Sequence, residues 1–287
     1  LGFAEPSLLG RDLRFGIDLS YRTTNNENAL YDTETLRISP SLRFPVSENG
    51  RLSVFYALEY TDLSDVSDSA SEIIQNEAAA GSVTTNALGY NYSFDTRRTG
   101  LNPNAGVLLR FGQEFGFGET QFIKTTALAG AETRIFNEEV TLRATVEGGY
   151  LSYLDGSSRV TDRFFLNSRL MRGFDPGGIG PRDADTDDAL GGNAFAVARF
   201  EAEFPLGLPS EYGITGGVFL DVGSLWEVGE TGTSDVLSDD PIARSVIGAS
   251  IFWTTPIGPL RFNFTEPLDV QGFDNPKSFD VTVSTSF

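Results

Sequence analysis

Leu13-Arg14-Phe15-Gly16-Ile17-Asp18-Leu19-Ser20-Tyr21-Arg22 is the stretch on which the fold turns. Leu13, Phe15, Ile17, Leu19 and Tyr21 take every odd place, and Arg14, Gly16, Asp18, Ser20 and Arg22 every even one. Successive side chains of an extended strand point to opposite faces, so this segment has one apolar and one polar face. The pattern recurs. Leu36, Ile38, Pro40, Leu42 and Phe44 oppose Arg37, Ser39, Ser41 and Arg43, and Leu52, Val54, Tyr56, Leu58 and Tyr60 oppose Ser53, Phe55, Ala57, Glu59 and Thr61. A soluble sandwich alternates too, but its strands average about 5–6 residues. Most segments here run to roughly 9–15 residues, and a strand crossing a bilayer needs about 9–11. Arginines and carboxylates in the polar set suit a hydrated lumen. Aromatic residues near strand ends (Phe15, Tyr21, Phe44, Tyr60, Phe264 and Phe287) suit the girdles of a membrane barrel.

The connections point the same way. Short ones at Pro45–Gly50, Glu114–Gly118 and Phe136–Glu139 alternate with long polar ones at Ser64–Ala78, Asp155–Leu190 and Glu227–Pro241. Thirteen strand candidates fall at 1–6, 11–22, 33–44, 51–63, 80–94, 101–114, 118–134, 139–153, 191–205, 212–225, 243–255, 258–266 and 277–287. The fold class expected is all-β, a transmembrane antiparallel β-barrel with a long loop folded into it. Bacterial single-chain barrels have even strand numbers. Leu1 opens within an apparent strand, so the expectation is one N-terminally truncated barrel domain over 1–287, with about three strands of a sixteen-stranded barrel outside it.

Composition removes whole classes of chemistry. The 287 residues include neither cysteine nor histidine, which excludes disulfides, thiolate metal sites and any Ser-His dyad. No apolar run reaches the ~18 residues of a membrane-spanning helix. Forty acidic residues against 21 basic ones give a net charge of -19, so nucleic acid is not an expected partner. Lys124 and Lys277 are the only lysines. No catalytic residue, cofactor or metal is expected, and the chain is not expected to be an enzyme. Asp183-Ala184-Asp185-Thr186-Asp187-Asp188 resembles the start of a calcium loop but lacks its glycine and closing glutamate. It reads as a solvated acidic loop, as do Asp235, Asp239 and Asp240, with divalent-cation binding the alternative. Asn91-Tyr92-Ser93 matches a glycosylation sequon but sits within a strand. Gly112, Gly116 and Gly118 read as a turn.

The loop Asp155–Leu190 is the most informative segment. Loops this long are functional or disordered. Gly and Pro at turn spacing, with Met171, Phe174 and Ile179 available for burial, indicate a folded one. Arg172-Gly173-Phe174 resembles the Arg-Gly-Phe motif of the barrel-assembly and two-partner-secretion superfamily. The strand Gly191–Glu201, the stretch Phe219–Trp226 and the run Thr255–Leu260 resemble the later strands of the BamA family, the central subunits of the β-barrel assembly machinery. Gly178–Asp183 resembles alphaproteobacterial members. The resemblance is strongest over 170–270 and extends from Leu1 to the end.

That resemblance implies that Arg172 points into the lumen and meets carboxylates on the next two strands. Parity places Glu201 and Asp221 on the inner faces of those strands, because Ala196, Ala198, Phe200 and Phe204, and Val218, Leu220 and Val222, form the outward sets. By parity alone, three unrelated lumen charges remain open. The resemblance further implies a C-terminal strand signal and seam at Phe279, Val281, Val283 and Phe287, although the internal glycine usual in such signals is missing here. It implies an outer-membrane factor of Gram-negative bacteria that folds and inserts β-barrel clients through a lateral seam. Implied partners are membrane lipids, lipopolysaccharide, unfolded clients and accessory lipoproteins. The POTRA domains of the family are expected outside this stretch. The alternatives are a secretion pore of the same superfamily and a diffusion porin.

Overall fold

The computed structural model describes residues 1–25, 30–97, 105–229, 231–255 and 258–283. Its strands are β1 (Gly2–Glu5), β2 (Arg14–Asn25), β3 (Asp32–Pro45), β4 (Gly50–Ser64), β5 (Val83–Asp95), β6 (Ala105–Gly118), β7 (Gln121–Ile135), β8 (Val140–Asp155), β9 (Arg182–Asp183), β10 (Ala194–Pro205), β11 (Ile214–Trp226), β12 (Val236–Leu237), β13 (Arg244–Thr255), β14 (Gly258–Pro267) and β15 (Phe279–Val283), with one helix, α1 (Glu72–Ala79). All but β9 and β12 form a single 13-stranded antiparallel sheet in sequence order. β9 and β12 pair with each other, outside that sheet. Among the described residues no pairing joins β1 to β15, and the barrel is not closed.

The alternation read from the sequence sets the two faces. Ile17, Leu19, Val54, Leu58, Leu109, Phe200, Val218, Leu220, Ile251 and Phe264 are exposed on the outside. Their strand neighbours Ser53, Ala57, Thr61, Val197, Phe219, Asp221, Asn263 and Thr265 are buried inside. A soluble protein would not array so many large apolar side chains over one continuous face; a bilayer requires it.

At two places the chain departs from its sequence pattern. Gly112 and Gly116 are not in a turn: β6 continues to Gly118 and the reversal takes only Glu119 and Thr120. The glycines serve packing, since a Cβ on Gly112 would lie 2.4 Å from the Asn91 side chain and one on Gly116 2.3 Å from the Phe122 ring. The loop after β4, read as merely polar, contains α1. Ser71 caps it by accepting from the Ile73 N–H, and Ile73 and Ile74 are buried.

The long loops fold over one end of the sheet. Two apolar clusters hold them. Leu166, Met171, Phe174 and Ile179 of the loop after β8 pack on Phe195, Val197, Phe219, Leu225 and Val246 of the inner wall. Above them, Leu63, Ile73, Ile74, Val160, Leu190 and Val228 join α1 to the loops as a cap.

Candidate functional site: an arginine bridge on the inner wall

Register puts the two acidic side chains side by side. Glu201 of β10 lies opposite Phe219 of β11, and Asp221 lies opposite Arg199, so both carboxylates project from the inner face of adjacent strands. The loop delivers Arg172 between them. Asn167 starts the delivery by accepting the Leu170 and Met171 N–H groups in a tight turn. Gly173 then reverses the chain at φ 85, where a Cβ would lie 2.7 Å from Val246. Only glycine adopts that conformation without strain in that space.

Arg172 donates from Nε to Asp221 Oδ2 at 2.7 Å, from Nη2 to Asp221 Oδ1 at 2.5 Å, and from Nη1 to Glu201 Oε2 at 2.8 Å. Its backbone N–H also donates to Asp221 Oδ2 at 3.2 Å. The guanidinium plane stacks on Phe219, with Cζ 3.5 Å from the ring centroid. The planar fork thus satisfies two carboxylates and one aromatic face together, which an ammonium cannot do. The Arg172 side chain is 7 % exposed and that of Asp221 0 %, so this part of the lumen is drier than the sequence led one to expect.

Glu201 gathers two further arginines that the sequence reading missed. Arg143 of β8 donates to it at 3.2 Å and reaches Glu203 at 2.7 Å and Glu132 at 3.0 Å. Arg261 of β14 donates to it as well, and stacks 4.8 Å from the Phe252 centroid. Parity puts both on the inner face, and Arg143 is directly opposite Glu201 in the register.

A profile of the Omp85 superfamily domain matches residues 1–287. The chain belongs to the Omp85 superfamily. Outer membrane protein assembly factor BamA of Neorickettsia risticii is 32% identical over 276 residues, which is 95% of this chain and 37% of that protein. The chain therefore spans little more than a third of that relative. A crystal structure of BamA from Haemophilus ducreyi lacking POTRA domains 1–3 superposes with a TM-score of 0.84 at 18% identity, covering 100% of this chain and 61% of the other. CdiB from Acinetobacter baumannii gives 0.54 at 13% identity, covering 94% and 46%. At those identities the two structures speak for the fold. The outward apolar face and the family together make this an outer-membrane β-barrel.

In this Omp85 barrel the bridge connects onward to the last strand. The segment 173–178 runs antiparallel to 275–277. Lys277 N–H donates to Gly173 O at 2.9 Å, Asp175 N–H to Asn275 O at 3.0 Å and Asn275 N–H to Gly178 O at 2.9 Å, with Phe174 opposite Pro276. Beside them Arg244 and Asp274 form a buried pair, Nε to Oδ2 2.7 Å, with side chains 1 % and 0 % exposed. Lys277 leads directly into β15. There Phe279 and Val281 face outward against Phe264 and Phe262. Val283 is described by its backbone pairing with Leu260 alone, and Phe287, like Pro256 and Ile257, lies outside the described residues.

The acidic turn is not the solvated loop expected. Asp183 is buried and accepts from Ser71 Oγ at 2.6 Å and from the Asp185 and Thr186 N–H groups at 2.9 and 3.1 Å. Asp188 accepts the Ser71 N–H at 2.7 Å, beside the positive end of α1. Burial works against the Asp183 charge, but these hydrogen bonds outweigh it and hold the carboxyl below its usual range. Asp185 and Asp187 stay exposed. Across the cap, Glu77 of α1 pairs with the buried Arg163 and accepts the Val160 N–H at 2.7 Å. There desolvation wins, and the Glu77 carboxyl is raised despite its partners.

Proposed function

We propose that this chain is the barrel portion of an assembly factor that folds β-barrel proteins and inserts them into the outer membrane. The relatives' shared role as assembly factors supports the reading. One observation of the molecule carries it: the inner bridge and the last strand are a single hydrogen-bonded unit, and among the described residues that strand pairs with β14 alone. An edge strand offers unpaired N–H and C=O groups, so a client strand can add to it by main-chain pairing. The factor would work without a cofactor or covalent step. Lipopolysaccharide, accessory lipoproteins and periplasmic domains are proposed as partners on the strength of family membership.

A diffusion porin is disfavoured because Met171, Phe174 and Ile179 are packed against the inner wall as a dry cluster. A secretion pore of the same superfamily is the second reading, and CdiB shares the fold less closely. The deciding experiment reconstitutes the full-length protein in liposomes and adds a denatured outer-membrane barrel. Accelerated acquisition of protease-resistant client in the bilayer is expected. No acceleration, with passage of an unfolded passenger into the lumen instead, would favour the secretion pore.

A further inference from the structure

Inner-wall arginines differ in whether they meet a carboxylate, and Arg37 of β3 does, at 2.9 Å from Glu59 and 3.1 Å from Glu114. On β8, β10, β13 and β14, Arg143, Arg199, Arg244 and Arg261 each meet a carboxylate. On β2, β3, β4 and β6, Arg14, Arg43, Arg51 and Arg110 are exposed on the inner face, and none of the four has an ion-pair partner among the described residues. Residues 98–104, which separate β5 from β6 in sequence, hold no Asp or Glu.

These four are neighbours. Arg14 lies directly opposite Arg43. Arg43 and Arg51 sit on adjacent strands, two positions apart in register. Arg51 and Arg110 lie in one row, with Ser93 between them. Arg43, Arg51 and Arg110 line one cavity of about 430 Å³ with Ser53, Asn91 and Thr126. Arg14 and Arg43 line an adjoining one of about 250 Å³. Glu147 closes the far side of the first but is already held by Arg199 at 2.9 Å. Asp18 edges the second without pairing to either arginine. Like charges directly opposite across a strand pair are destabilising, so the Arg14–Arg43 pair persists at a cost that an anion would relieve.

We infer that this wall is a groove that accepts the carboxylates of an extended, unfolded polypeptide. The spacing selects the ligand. From β2 to β6 are four inter-strand steps of about 4.8 Å, or roughly 19 Å. A single phosphate is too small to reach all four guanidinium groups across that distance. An extended chain covers that distance in about six residues at ~3.3 Å each, with alternate side chains on one side. Charge complementarity agrees, since this outer-membrane barrel itself carries 40 acidic residues against 21 basic. The inference rests on the assembly reading and specifies what the wall does to a client: it holds acidic inner-face residues in extended form beside the sheet.

The test uses the full-length protein in nanodiscs and a fluorescent (Glu-Ser)4 peptide, with (Gln-Ser)4 as the neutral probe. Arg→Gln at 43, 51 and 110 singly should weaken the acidic peptide about two- to fivefold, as for exposed pairs, and the triple variant about tenfold or more. The triple Arg→Lys variant, which keeps the charge, should bind within about threefold of wild type. Arg11→Gln, in the connection between β1 and β2 and outside both cavities, should change nothing. Equal binding of both peptides, wild-type binding by the triple Gln variant, or displacement by inorganic phosphate beyond that by chloride at matched ionic strength would each overturn the groove. The same preparations are assayed for client insertion. A wild-type protein that inserts no client refutes the assembly reading, whereas active insertion with unaltered peptide binding in the Gln variants refutes the groove alone.

Discussion

Arg172 is placed so that each of its donors has a fixed acceptor, and the expected cost of losing it follows from burial. Removing one partner from a buried ion pair costs about 3–5 kcal/mol, against about 0–1 for an exposed one. With Asp221 fully buried, Arg172→Ala belongs near the upper range. Limited proteolysis in membranes should cut 156–193 in the variant and spare it in wild type, while the strands remain folded. Arg172→Lys should restore protection in part, because a point charge cannot serve both carboxylates. Gly173→Ala should also loosen the loop, by more than 1 kcal/mol, since it combines a positive φ with a collision at Val246. Thermal denaturation monitored at the loop checks it; an unchanged midpoint would contradict the packing argument. Much of this site was legible from parity, which put Glu201 and Asp221 on the same face. Arg143 and Arg261 were legible in principle and overlooked, since the register that aligns them depends on which strands are neighbours. The Arg244–Asp274 pair was not legible: 30 residues separate the partners and Asp274 lies in a loop without periodicity.

At the scale of elements, the cap and the loop before β15 carry their own tests. Asp274→Ala leaves Arg244 buried without its carboxylate. Hydrogen exchange should rise over 268–278 and, through the backbone ladder, over 173–178 as well. A rise confined to 268–278 would show that the two segments are uncoupled. The cap should respond to pH in two windows. Asp183 has a lowered folded pKa, so its contribution is full above the unfolded value of 3.8 and is lost as pH falls through the folded one. Glu77 has a raised folded pKa, so its contribution is full below 4.5 and declines as pH rises through the folded value. Protease protection of α1 should therefore fall off in acid, with Asp183→Asn removing that limb and Glu77→Gln removing the limb above 4.5. The long strands were legible because period two persists over many residues. The glycine-rich end of β6 was misplaced because Gly112 and Gly116 mimic turn chemistry while serving close packing. α1 was missed because eight residues in a polar loop give only two turns of pattern.

For the whole molecule, the bilayer separates the two faces energetically. Leu109→Arg or Val218→Arg, on the outside, should cost about 2–4 kcal/mol near the midplane. Ser41→Glu, on the inside beside Arg14 and Arg43, should cost much less. Urea titrations of folding into vesicles measure both, and equal costs would contradict the assigned faces. The ladder between 173–178 and 275–277 has a mechanical consequence. A tug on β15 is resisted by its five described residues of pairing with β14, and also by a tether that runs through Gly173 to Arg172 and ends on Asp221, two strands further in. The barrel rim thus behaves as a guyed mast: stiffness at the edge is set by an anchor away from it. Force spectroscopy on the last strand should find its rupture force lowered by Arg172→Ala, a residue that, among the described residues, forms no hydrogen bond with the strand being pulled.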